Sequence, residues 1–259
     1  MKSMASSMKV LVTRPASQAE QWVVRLKGLG IDAVSLPLID IKPAPESLAV
    51  VLAWSRISTL RLLVFVSPNA VEHFFALKPA GLPWQRALEV ASTGPGTTRA
   101  LVAKGVPAER ILEPAADSAQ FDSESLWARL CGRDWRNAKV LIVRGDGGRD
   151  WLAETLTTHG AKVTHVVAYQ RMAPSFTPAH KALLADALAE PQKHLWLFSS
   201  SEAIAHLAAC VTDADLARAW AIATHPRIGA RAQELGFGNV VKTRPALDAV
   251  AACIKLIDR

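Results

Sequence analysis

The sequence predicts an α/β protein of two lobes, each a parallel sheet flanked by helices. Apolar runs of strand length alternate with helical patterns of roughly 12 residues. One pattern of strands, helices and turns is written twice. At 259 residues, 50% of them hydrophobic, the chain is long enough for two cores, since domains usually hold about 100–150 residues.

Taken in order, the first buried strand is Val10 to Thr13, followed by Thr13-Arg14-Pro15 and a helix over Glu20 to Leu29 that Gly30 stops. Leu62 to Val66 leads through Ser67-Pro68-Asn69 into a helix over Ala70 to Leu77. Leu88 to Ser92 leads through Thr93-Gly94-Pro95-Gly96-Thr97 into Thr97 to Lys104, stopped at Gly105. Val140 to Val143 is followed by Arg144-Gly145-Asp146-Gly147-Gly148 and a helix from Asp150 to His159, ended by Gly160. Leu195 to Phe198 passes through Ser199-Ser200-Ser201 into Glu202 to Cys210. Trp220 to Ala223 passes through Thr224-His225-Pro226-Arg227 into Gly229 to Leu235, before Gly236.

The repeat rests on three ordered matches at nearly one offset. VLVTRPASQAEQWVVRLKGLGIDAV from Val10 aligns on VLIVRGDGGRDWLAETLTTHGAKVT from Val140, pairing Arg14 with Arg144 and Gly30 with Gly160. VFVSPNAVEHF from Val64 aligns on LFSSSEAIAHL, pairing Ser67 with Ser200 and His73 with His206. STGPGTTRALVAKG aligns on ATHPRIGARAQELG, pairing Pro95 with Pro226. After each first unit an extended apolar stretch runs into proline, LPLIDIKPAP to Pro45 and VVAYQRMAP to Pro174, where helix continuation is blocked. These read as crossings. The expected division is a discontinuous first lobe, 8–37 with 175–259, a second lobe, 46–165, and linker strands, 38–45 and 166–174.

Composition excludes several classes. The net charge is +7, and the 18 arginines outnumber the 12 lysines, which suits two-pronged recognition of carboxylates. No Lys/Arg run or basic stripe interleaved with aromatics marks a nucleic-acid site. Cys131, Cys210 and Cys253 have neither disulfide nor zinc spacing and read as buried thiols of a reducing cytoplasm. The N-terminal stretch has no apolar core of signal-peptide length, no segment reads as membrane-spanning, and Met8 is an alternative start after an extension, Met1 to Ser7.

In open parallel sheets, ligands bind beyond the C-terminal ends of the strands, where helix N-termini present free N–H groups. The six strand-end turns here are rich in hydroxyls, amides and guanidinium groups, which is chemistry for holding anions. Singly, each reads as an ordinary helix cap or turn. Converging on one edge, with Arg14 and Arg144 at matching positions, they read as a binding site that also takes in Gly148 and Ser199. No GxGxxG or GxxxxGK[ST] supports a nucleotide fold, and Ser200 lacks the GxSxG context of a nucleophile. His73 and His206 have no metal-ligand spacing and read as packing residues. Tyr169, the only tyrosine, stands at a strand end with its hydroxyl expected at the rim.

TRP after the first strand, FVSPNAV, TGPGTTRAL, VRGDGGRDWLAETL, VVAYQR and LFSSSEAI, in this order, resemble uroporphyrinogen-III synthases from Val10 to about Gly236. The resemblance implies two α/β lobes joined by a two-stranded ladder. It also implies cofactor-free cyclisation of hydroxymethylbilane, a linear tetrapyrrole with eight carboxylates; a monomer without metal is expected. By motif, Tyr169 would assist departure of the substrate hydroxyl as a proton donor, Thr97 would line the site, and Ser67 and Ser200 match serines of the paired turns. Asn69, Gly94, Arg14 and Arg144 match loop positions facing the cleft. Where the second copy usually carries a threonine, this chain has Arg227 or Ile228, and Arg227 is expected to act as a carboxylate clamp. Two alternatives stay open, a non-catalytic two-lobed binder of an anionic metabolite and, more weakly, a nucleotide-sugar transferase.

Overall fold

The computed structural model describes residues 8–258 except 83, 86, 87, 212 and 213. The expected extension, Met1 to Ser7, lies outside the described residues. The chain opens with β1 (Lys9–Val12), α1 (Ala16–Gly28) and β2 (Ala33–Ser35). It continues with β3 (Asp40–Pro43), α2 (Ser47–Ser55), β4 (Leu62–Phe65), α3 (Pro68–Ala76), β5 (Glu89–Ser92), α4 (Pro95–Ala103) and β6 (Ile111–Leu112). There follow α5 (Ser123–Leu130), β7 (Lys139–Gly145), α6 (Trp151–Thr158), β8 (Lys162–Met172) and α7 (Pro178–Ala189). Last come β9 (His194–Phe198), α8 (Ser201–Cys210), β10 (Trp220–Ala223), α9 (Pro226–Glu234), β11 (Asn239–Lys242) and α10 (Leu247–Ile257). Helices α1, α4, α6 and α9 each stop two residues before the glycine expected to end them.

Two compact units result. One runs to Asp40 and resumes at Met172; the other spans Ile41–Arg171. The first holds a five-stranded parallel sheet in the order β11-β10-β9-β1-β2. All five residues of β9 are buried, as a parallel strand covered on both faces requires. Leu195 and Leu197 pack with Val10, Val12, Leu26 and Ile254 on one face. Trp196 and Phe198 turn the other way and meet the ring of Phe237.

The second unit holds a six-stranded sheet in the order β3-β8-β7-β4-β5-β6, parallel from β8 through β6. The strand period of two divides its core cleanly. Leu63, Phe65, Leu141 and Val143 pack on one face with Trp54, Phe74 and Leu101, while Leu62, Val64, Val140 and Ile142 pack on the other with Leu126, Trp135 and Leu156. The segments expected as linkers contain β3 and the end of β8, which are neighbours in this sheet.

The structure departs from the sequence reading in its helices, its edge strands and its cysteines. Four helices, α2, α5, α7 and α10, were not expected. In α2 (SLAVVLAWS) apolar residues lie on every side: Val50 and Trp54 are buried while Leu48, Val51 and Leu52 are exposed, so no helical period stands out. The cysteines are also not buried. Cys131 and Cys210 are exposed and Cys253 is half-buried; the first two lie at the C-terminal ends of α5 and α8.

Candidate functional site

The C-terminal ends of β4, β7 and β8 in the second unit surround a cavity of about 170 Å³, whose walls include Ser67, Arg144, Gly148, Arg149, His165 and Tyr169. Its geometry begins with a bulge. β7 and β8 run in register from Lys139↔Lys162 to Arg144↔Val167, then slip by one residue so that Gly145 faces Tyr169. A bulge of this kind re-aims a side chain beside the ladder.

The Tyr169 ring is held between neighbouring side chains. It is 2% exposed. His73 stacks on it, with ring centroids 5.9 Å apart and planes inclined by 26°, and the Arg171 guanidinium carbon lies 5.9 Å from its centroid. Its hydroxyl is 3.0 Å from Oγ of Ser67, which also accepts the backbone N–H of Ala70 at 3.1 Å as the cap of α3.

Three arginines set the charge. Arg144 donates from Nε to the Gly147 carbonyl at 3.2 Å and pairs with Asp150, its side chain only 12% exposed. Gly148 follows at φ 110°, a conformation that side-chain-bearing residues rarely adopt. Arg149 forks onto Glu124. Arg171 donates its backbone N–H to Oδ1 of Asp146 at 2.8 Å and a guanidinium N–H to the Asp146 carbonyl at 3.0 Å. Burial, and then repulsion from Arg144, holds the His165 imidazole below its ordinary range, with Asp150 opposing. Burial likewise lowers His73, opposed by Glu72. Both shifts favour the uncharged imidazole, so the guanidinium groups are the fixed positive charges of the wall.

Of the residues singled out from the sequence, Ser67, Arg144, Gly148 and Tyr169 line this cavity together. Tyr169 lies within an 11-residue strand and not at its end, and its side chain lines the cavity. Asn69 in the first turn of α3, Gly94 before α4 and Thr97 in α4 belong to adjoining turns of the same unit and do not line it. A side chain at Gly94 would meet Cβ of Phe121 at 2.8 Å. Thr97 is buried, while its neighbour Thr98 bonds Ser92 at 2.7 Å and Glu113 at 2.6 Å.

Arg14, Ser199, Ser200 and Arg227 belong to the other unit. Arg14 lies 4.3 Å above the Trp22 ring and donates to Gln18. Ser199 follows β9, and Ser200 caps α8 through the Glu202 N–H. Arg227 is exposed, its backbone N–H given to Nδ1 of His225 at 3.1 Å. The sequence reading missed His165, Arg149 and Arg171. Arg171 carried a usable signal, since it lies two residues beyond Tyr169 on the same strand.

A family model described as uroporphyrinogen-III synthase HemD matches residues 20–252. The chain belongs to that family. Uroporphyrinogen-III synthase of Escherichia coli (strain K12) is 32% identical over 177 residues, 68% of this chain and 70% of the relative. That of Synechococcus elongatus is 28% identical over 201 residues, 75% of this chain and 71% of the relative. Two solved synthase structures share the fold. The enzyme of Helicobacter pylori superposes with a TM-score of 0.63 at 15% identity, covering 97% of this chain and 100% of that one. A mutant from Thermus thermophilus gives 0.61 at 17% identity, covering 97% and 98%. Membership makes the protein a cyclising lyase of tetrapyrrole biosynthesis. Among the described residues no helix is long and apolar enough to cross a membrane, and no group of three or more His, Cys, Asp or Glu could hold a metal ion.

Proposed function

We propose that the chain closes hydroxymethylbilane to uroporphyrinogen III with inversion of the last pyrrole ring, and that Tyr169 is its catalytic acid. The observation that carries this reading is a phenol oxygen at the wall of an arginine-lined cavity, bonded to a serine that is itself a helix cap. Arg144, Arg149 and Arg171 supply donors for carboxylates of the substrate.

In the first step the phenol gives its proton to the terminal hydroxyl, and the C–O bond breaks with its electron pair leaving as water. The pyrrole nitrogen supplies electrons, loses its N–H proton and becomes an azafulvene, and that proton restores the phenol. The last pyrrole then attacks through its substituted carbon, and the spiro intermediate fragments and recloses with the ring inverted. These steps need an acid, fixed charges and control of conformation. The reading calls on no metal or cofactor, and it takes the protein as a monomer in the cytoplasm.

Incubation with freshly generated hydroxymethylbilane and separation of the product isomers tests it. The III isomer is expected. Only the spontaneous I isomer refutes the enzyme reading, and tight tetrapyrrole binding without turnover would favour a binding protein instead.

A further inference from the structure

One of the contacts that hold Tyr169 leads away from the cavity. Oγ of Ser67 lies 3.0 Å from the phenol oxygen and accepts the Ala70 N–H at 3.1 Å. A serine hydroxyl has one proton and two lone pairs. With Ala70 directed at a lone pair, the serine proton is available to donate, and the phenol oxygen is a partner within reach. The phenol's own proton is then free to turn towards the cavity that Tyr169 lines.

We infer that Ser67 is a positioning residue: it donates to the Tyr169 oxygen, aims the phenol O–H into the cavity and couples that oxygen to the N-terminus of α3. This rests on the reading of Tyr169 as the acid, and deepens it. Two advantages follow physically. The acid keeps one orientation between turnovers. As its proton leaves, the charge growing on oxygen meets an O–H already polarised by the Ala70 amide and by the positive end of the helix. Ser67 therefore acts through Tyr169 and not by holding a substrate carboxylate, which is the role its turn suggests in the sequence.

Tyr169 is the chain's only tyrosine, so the tyrosine ring doublet in the Raman spectrum of the intact protein reports on this phenol alone. The wild type should show an oxygen that accepts a hydrogen bond. Ser67→Ala should lose that signature and lower kcat roughly tenfold, the worth of one hydrogen bond, with KM changed by less than about twofold. Ser67→Thr should restore both. Ser67→Asp keeps a cap on α3 but offers only acceptors; it should abolish the signature and slow turnover at least as much, and it decides the matter should the alanine variant not fold.

A doublet unchanged in Ser67→Ala, or in Ser67→Asp, overturns the assignment. So does a raised KM with kcat intact. Failure of the enzyme reading shows separately, in the isomer made by the wild type, while the doublet still decides the direction of the hydrogen bond.

Discussion

A methyl group built on Gly145 would lie 2.6 Å from Cζ of Tyr169 and 3.0 Å from its hydroxyl oxygen. That is well inside van der Waals contact, so the phenol keeps its place only because position 145 has no side chain. Gly145→Ala should push the ring away and reduce kcat by about a hundredfold, the order expected when a reacting group moves by an ångström. Circular dichroism should still show a folded protein. Unimpaired turnover in this variant would mean that the ring position is irrelevant to the chemistry.

Removing only the hydroxyl is the complementary experiment. Tyr169→Phe keeps the stack on His73 and deletes the bond to Ser67, so stability should fall by about 1 kcal/mol. Turnover should fall by about 10²–10⁴, the range for a general acid. Measuring both in one preparation separates the roles, and a rate equal to wild type removes Tyr169 from the mechanism.

The ion pair of Arg144 with Asp150 gives a prediction with two opposite signs. If Arg144 grips a substrate carboxylate, Arg144→Ala should raise KM by about 10- to 100-fold, the worth of a charge-assisted hydrogen bond. Asp150→Asn removes the counter-charge of Arg144 and should lower KM by up to about fivefold, since a pair with one partner exposed to solvent is worth ~1 kcal/mol. Steady-state kinetics decide, and a KM that moves the same way in both variants contradicts the grip.

Acid should loosen the second unit through His165 and His73, whose imidazoles are held below the ordinary 6.5 in the folded protein. Between the lowered native values and 6.5 the unfolded chain binds more protons, so stability increases with pH through that window. The stabilisation is complete above 6.5 and is lost as pH falls through the native values. Thermal midpoints measured from pH 7.5 to about 5 should fall less steeply in the double variant His73→Gln, His165→Gln than in the parent. Parallel curves would show that these rings do not carry the effect.

The alternation of apolar runs with helical patterns made the central strands of both sheets legible, because parallel strands buried on both faces, such as Leu62–Phe65 and His194–Phe198, are continuously apolar. Short edge strands such as Ile111–Leu112 carry too little pattern to be seen. Ser67, Arg144, Gly148 and Tyr169 were visible because they stand in strand-end turns or alone in composition. His165 was hidden by an unbroken strand, Lys162–Met172, in which nothing in the letters marks the one-residue slip before Tyr169. The likeness between Ser67 and Ser200 was visible as well, yet only Ser67 meets a tyrosine.

The order of the chain also sets a timetable for its synthesis. β1 lies between β2 and β9 in its sheet, pairing Lys9 with His194 and Val12 with Leu197, while the unit from Ile41 to Arg171 is contiguous. At about 5–20 residues per second, a ribosome needs roughly 10–40 s to pass from β1 to β9. The contiguous unit can close around its own tyrosine while the strand made first still waits for its neighbour.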